Sequence, residues 1–466
     1  MKKLLQNILS IALAAAMTMS LAACSQDNGG GSNVNNNSGG NGGSQSSSNV
    51  SDNSGGAKAD KIVLWTLSND LKQFAERYTN ETGNEVEVVV FDSADFKTKI
   101  NQTLGTKSTD VDVFVGEPQM LPDFFEAGFS ADLSSLDSEV KSRLVDYTYQ
   151  AGCDSDGVLR AISYQACPGS VVYRRDIAEK VFGTDDPDEI GKLFSSFDEI
   201  EKTAVKLQKS GYTIFGDTGA LRWFSNSSSP WVKNGEIIVD QDRLDYFDCA
   251  VELYRKEYVA FAPEWSAAWY ASMAGPLPMH AEWSALDEVS DNSQTEVFSY
   301  VMPSWGALIV RDNADDNNGK YGVCSGVCSF FGGGTFLTVN EYSKHKEAAV
   351  EFIKYCTLND DTSRWWLEAS NGDVVNNKAV LEENKDYKNA AFGDQNTYSF
   401  FLKEMENIDY GLITAYDDAC KDAFGKAIIS VQKGEKTKEA ALKDFYTEVI
   451  TQYPELKIPD DAPINS

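Results

Sequence analysis

The stretch from residue 62 to 116 constrains this chain most. Ile62-Val63-Leu64-Trp65 is a short apolar run. Behind it, Leu71, Phe74, Ala75 and Tyr78 recur at helical spacing, and Gly83 stops the pattern. A second apolar run covers Val86 to Phe91, and a second helical stretch covers Ala94 to Leu104. Val111 to Val115 is a third run, closed by Gly116-Glu117-Pro118. Apolar runs alternating with helical periods predict a parallel sheet with crossover helices. In open sheets of this kind ligands sit at the carboxyl ends of strands. Trp65, Ser68, Asn69 and Glu117 then share one rim.

The N-terminus sets the compartment. Lys2 and Lys3 precede an apolar run from Ile8 to Met17, which is the pattern of a secretory signal. The run is too short for a membrane span, which takes ~20 apolar residues. Leu21-Ala22-Ala23-Cys24 resembles the lipobox of bacterial lipoproteins. That resemblance implies cleavage after residue 23 and diacylation of Cys24, which would hold the protein on the extracellular face of the bacterial cell membrane. Residues 24–60 follow as a Ser-, Gly- and Asn-rich tether too poor in apolar side chains to fold.

Composition removes several classes. The 466-residue chain carries a formal net charge of -30, which makes nucleic acid and anionic membrane surfaces poor partners. Seven cysteines remain beyond Cys24, an odd number that leaves at least one thiol free within the chain. Cys324 and Cys328 in one strand would lie ~13 Å apart, too far to bridge. His280 and His345 are the only histidines, so no metal or cofactor site is expected. No Gly-x-Ser-x-Gly elbow occurs, and Gly332-Gly333-Gly334 lacks the Lys-Ser/Thr of a phosphate loop. No enzyme is predicted.

Further along, two apolar stretches flank Cys167-Pro168-Gly169. A strand at Tyr212 to Phe215 precedes an expected loop holding Arg222 and Trp223. Trp265 to Met273 is aromatic-rich, Leu277 to Trp283 reads as a strand, and Met302 to Gly306 reads as a turn holding Trp305. Ser343 is the expected N-cap of a helix, and past Leu358 the pattern is mostly helical.

Four stretches together resemble one family. They are Ile62–Trp65 with its helix and Gly83, Pro168 to Asp176, Gly333 to Ile353, and Gly434 to Leu442. Their order is similar to the extracellular solute-binding proteins of ABC importers, in the carbohydrate-binding, maltose-binding-protein-like group. The resemblance implies an α/β, two-lobe, periplasmic-binding-protein-like (type II) fold, with a ligand cleft between lobes joined by crossing hinge strands. Lobe 1 would comprise residues 61–165 and 322–360, and lobe 2 residues 166–321 and 361–466. It also implies partnership with the transmembrane subunits of a transporter. Where maltose-binding members carry an aromatic after the third strand, this chain has Gly116, which argues against maltodextrin.

A sugar site needs flat rings for C–H faces and fixed polar groups for hydroxyls. Trp283, at the end of its expected strand and at a place where the family often stacks a tryptophan, is the first candidate. Trp223 and Trp305 follow. Trp265 and Trp269, four apart, fit one buried helix face equally well, and only Trp269 is kept as a candidate. Trp65, Trp365 and Trp366 read as packing residues. Glu117, Glu282, Asn69, Ser68 and Arg222 are the polar candidates, with Tyr164 and Tyr416 behind them. A polyamine or peptide would suit the same mixture of rings and acids.

Overall fold

The computed structural model describes residues 61–226, 228–279 and 294–464. The signal, Cys24, the tether, Glu282 and Trp283 lie outside the described residues.

The first lobe follows the alternating pattern. Strand β1 (Ile62–Thr66) leads through helix α1 (Asp70–Thr82) to β2 (Val86–Val90), then through α2 (Ser93–Leu104) to β3 (Val113–Gly116). β1 pairs in parallel with both β2 and β3. Gly83 ends α1 at φ 77, a left-handed conformation that favours glycine. The short β4 (Ile162–Ser163) joins the far edge of this sheet. In the second lobe, β5 (Gly169–Arg174) lies between β6 (Ser299–Pro303) and β7 (Tyr321–Cys324), antiparallel to both. The chain then returns as β8 (Phe336–Val339), antiparallel to β3 and β4, which completes the order β2-β1-β3-β8-β4. Asp112 ties the first sheet together: its carboxylate accepts from the Val63 amide at 2.9 Å and from the Ser343 hydroxyl at 2.6 Å. Ser343 accepts from the His345 amide, so it shapes the turn before the helix at Lys346–Thr357 and does not cap it.

Gly116 has a steric cause. A Cβ there would come within 2.6 Å of the Leu121 side chain, because the helix Leu121–Glu126 turns back over the strand end.

Three passages join the lobes: Gln165–Pro168 and Phe330–Thr335 are linked by a Pro168–Phe331 bridge, and the chain crosses again between Met405 and Cys420. The boundary expected at residue 360 is displaced. In the helix Asp360–Ala369, Trp366 packs 4.9 Å from Phe74, and its indole donates to Asp373 at 3.0 Å. An aromatic pair at 365–366 needs the apolar face of α1, so this helix belongs to lobe 1. The second lobe has its own core, where Trp231 is fully buried against Phe424 and Phe445. The seven described cysteines are all free thiols. No helix among the described residues is long and apolar enough to cross a membrane.

Candidate functional site

A cleft of about 650 Å³ lies between the lobes. Its walls differ in chemistry.

The lobe 1 wall is made by strand ends. After β1 the chain turns at Thr66, whose hydroxyl accepts from the Ser68 amide at 3.0 Å, and Ser68 Oγ accepts from the Asp70 amide at 3.1 Å. These bonds fix Ser68 and Asp70 in the cleft lining. Asp70 also accepts from the Tyr164 hydroxyl at 3.3 Å. After β3, Glu117 faces the cleft and accepts from Gln119 Nε2 at 2.7 Å. Burial pushes the carboxyls of Asp70 and Glu117 above their ordinary pKa, and the nearby charge of Asp418 adds to the shift at Glu117.

The lobe 2 wall is made of rings. Arg222 and Trp223 sit in a 3₁₀ turn, Thr218–Phe224, capped by Asp217, which accepts from the Gly219 amide at 2.9 Å. Trp223 stacks on Phe330 with centroids 5.1 Å apart and planes at 22°. The Arg222 guanidinium lies 5.2 Å over the Trp223 ring and donates to Glu264. Trp265 stacks on Trp305 at 6.2 Å and 16°. The Trp305 indole donates to the Gly332 carbonyl at 2.9 Å, which fixes that ring against the hinge.

Ser68, Glu117, Arg222, Trp223 and Trp305 line the cleft. Their local structure differs in two cases from expectation: Trp223 is in a 3₁₀ turn, and Trp305 is in the first turn of the helix Ser304–Asp312. Four candidates lie elsewhere. Trp269 is only 2% exposed and packs beneath Trp265 and against Tyr300. Tyr164 is 3% exposed, its ring on Phe74. Asn69 is exposed beside the cleft and does not line it. Tyr416 packs on Tyr453 and bonds Glu455, outside the cleft. The sequence reading missed Asp70, Phe330 and Glu264, and it passed over Trp265. Asp70 was within reach, two residues past Ser68 on the same strand end. Glu264 carried no signal, because nothing in the sequence pairs it with Arg222.

Among the described residues no cluster of His, Cys, Asp and Glu could hold a metal ion. Carboxylates on one side and rings with one guanidinium on the other suit a ligand with flat apolar faces and many hydrogen-bonding groups.

Known folds agree with this geometry. A solved extracellular solute-binding protein of family 1 superposes with a TM-score of 0.68 at 19% identity, covering 84% of this chain and 99% of that one. The ABC-transporter-associated binding protein of B. animalis subsp. lactis, solved with β-1,6-galactobiose, gives 0.66 at 19% identity, covering 86% and 100%. The GacH receptor of Streptomyces glaucescens, solved with acarbose, gives 0.65 at 18%, covering 86% and 100%. At these identities the likeness establishes the two-lobe fold. No curated protein sequence matches the chain. A family model does match, over residues 73–392, and on that span the chain belongs to the bacterial extracellular solute-binding proteins.

Proposed function

We propose that the protein captures a sugar or short oligosaccharide between its lobes and delivers it to the permease of an ABC importer. One observation carries the reading: two stacked ring pairs, Trp223–Phe330 and Trp265–Trp305, line the same cleft as the carboxylates of Asp70 and Glu117. Rings cover the C–H faces of a pyranose, and carboxylates accept from its hydroxyls. The neighbours solved with β-1,6-galactobiose and acarbose support this choice of ligand class. The protein does no chemistry on the ligand. The ligand favours the closed lobes by its own contacts, since a solute that binds both states equally shifts nothing. Trp283 and Glu282 stay in the proposal as further contacts from lobe 2.

The anchor is part of the proposal. Cys24 carries the lipid, and the 24–60 tether lets the lobes reach the permease. Radiolabelled palmitate should enter the protein in cells and be lost in Cys24→Ala.

The test of ligand class is a thermal-shift screen of the purified protein against mono- and oligosaccharides, polyamines and peptides. A ligand at a hundredfold excess over Kd adds ~2.7 kcal/mol of stability. A shift with one sugar class, and no turnover by chromatography, is the expected result. A shift with polyamines alone would favour the second reading, which Asp70 and Glu117 support by lacking an ion-pair partner among the described residues. Turnover of a glycan would overturn the binding-only reading.

A further inference from the structure

We propose that Glu264 is a positioning residue that makes the cleft reject anionic solutes, so that it takes neutral sugars and excludes uronates and sugar phosphates. The proposal rests on the sugar reading above.

Read alone, Arg222 points the other way. A guanidinium in a sugar cleft presents a fork that suits a carboxylate or phosphate. Its surroundings reverse that. The Glu264 side chain is 7% exposed and the Arg222 side chain 38%, so the carboxylate sits behind and the guanidinium in front. Glu264 accepts from Arg222 Nη1, and the Trp223 ring lies under the guanidinium plane. The pair is locked from two directions. It still offers N–H donors to hydroxyls, while its charge is cancelled at the source.

The rest of the cleft adds no positive charge. Lys421 is the other cation in the described lining, and it lies 3.5 Å from Asp417. Asp70 and Glu117 form no ion pair among the described residues, and Asp409 and Asp418 also line the cleft. Asp217 lies close enough to act on both Arg222 and Glu264. A sugar carboxylate would therefore lose water to enter a net-negative site. Placing like charge against a ligand is a direct way to build selectivity.

Calorimetry on matched probes tests this: galactose against galacturonate, glucose against glucuronate, and β-1,6-galactobiose against its uronate. The wild type should bind each neutral sugar more than tenfold tighter than its acid. Glu264→Gln frees one positive charge and should cut that preference at least tenfold, while Glu264→Asp should keep it. Arg222→Gln should widen the preference, and adding Glu264→Gln to it should return the wild-type ratio. This pair carries the test if Glu264→Gln alone fails to fold. Glu117→Gln should narrow the preference by a smaller factor. Equal wild-type affinity for neutral and acidic partners overturns the proposal. So does an unchanged ratio in a folded Glu264→Gln protein, or identical ratios in Arg222→Gln and the double variant. If no sugar of either kind binds, the sugar reading itself falls, and the proposal with it.

Discussion

The two walls of the cleft are built in opposite ways. The lobe 1 wall consists of the first polar residues past β1 and β3, held by turns a few residues long. The lobe 2 wall gathers rings from a 3₁₀ turn, a helix start and an extended segment, brought together only by the tertiary fold. The first wall is local and acidic. The second is non-local and aromatic, with one neutralised cation. On the assembled wall Arg222, Trp223 and Trp305 are legible one by one, but their pairing with Glu264, Phe330 and Trp265 is not. The variants below test whether that division is real.

The largest effect should come from a ring that belongs to neither wall. Trp366 packs on Phe74 and Tyr164, and its indole is held by Asp373. Trp366→Ala should cost ~3–5 kcal/mol of stability, as large-to-small core changes do. Denaturant unfolding would show it as a fall in midpoint. A fall below ~1 kcal/mol would mean the ring is not core.

Next comes Trp265, 39% exposed and held at φ 70, a left-handed conformation that a bulky residue rarely adopts. Trp265→Ala should weaken sugar binding more than tenfold, about 1.4 kcal/mol, with little change in melting temperature. Trp265→Gly should bind as poorly and melt at or above the wild-type temperature, because glycine takes that φ without strain. If both variants bind normally, Trp265 is not part of the aromatic wall.

Trp265 also shows where sequence reading stopped. Spacing of four put Trp265 and Trp269 on one helix face. The helix begins only at Ala267, with Ser266 as N-cap accepting from the Trp269 amide at 3.1 Å. One ring is therefore inside the helix and buried, the other outside it and in the cleft. The cap signal, a serine before an apolar run, was present in the sequence. In the same way Met302 to Gly306 reads as a turn in sequence, yet Pro303 is the N-cap of a helix that holds Trp305 in its first turn, where proline is well tolerated. The sheet of lobe 1 was legible because its strands and helices differ in period over long runs. The boundary at 360 was not, because helical periodicity does not say which lobe a helix covers. The Trp365–Trp366 pair packs on Phe74, which lies far earlier in the chain.

A smaller effect separates the acidic wall from the aromatic one by pH. The Glu117 carboxyl is raised above its ordinary pKa, mainly by burial. The folded state therefore holds that proton more tightly than the unfolded state does. Stability from this group rises as pH falls through the raised pKa, and the gain is complete below the unfolded value of ~4.3. Above the raised pKa the ionised carboxylate is a net burden on the fold. Glu117→Gln should raise the melting temperature at pH 7, with a gain that fades on acidification. A gain that persists at pH 3 would assign it to packing.

The smallest effect tests how fine the local wall is. Ser68, Asn69 and Asp70 are consecutive, yet the first and third line the cleft and the middle one faces water. Asn69 occupies the N-cap of α1 without a side-chain cap bond. An N-cap substitution to alanine usually costs ~0.5–2 kcal/mol, and most of that cost is the lost cap bond. Asn69→Ala should therefore change neither affinity nor stability measurably, while Asp70→Asn one residue later should weaken binding. Lobe closure around a bound sugar is the one event that could bring Asn69 into contact. A loss of affinity in Asn69→Ala with unchanged stability would mean that the lobe 1 wall extends, on closure, one residue beyond what the cleft geometry assigns to it.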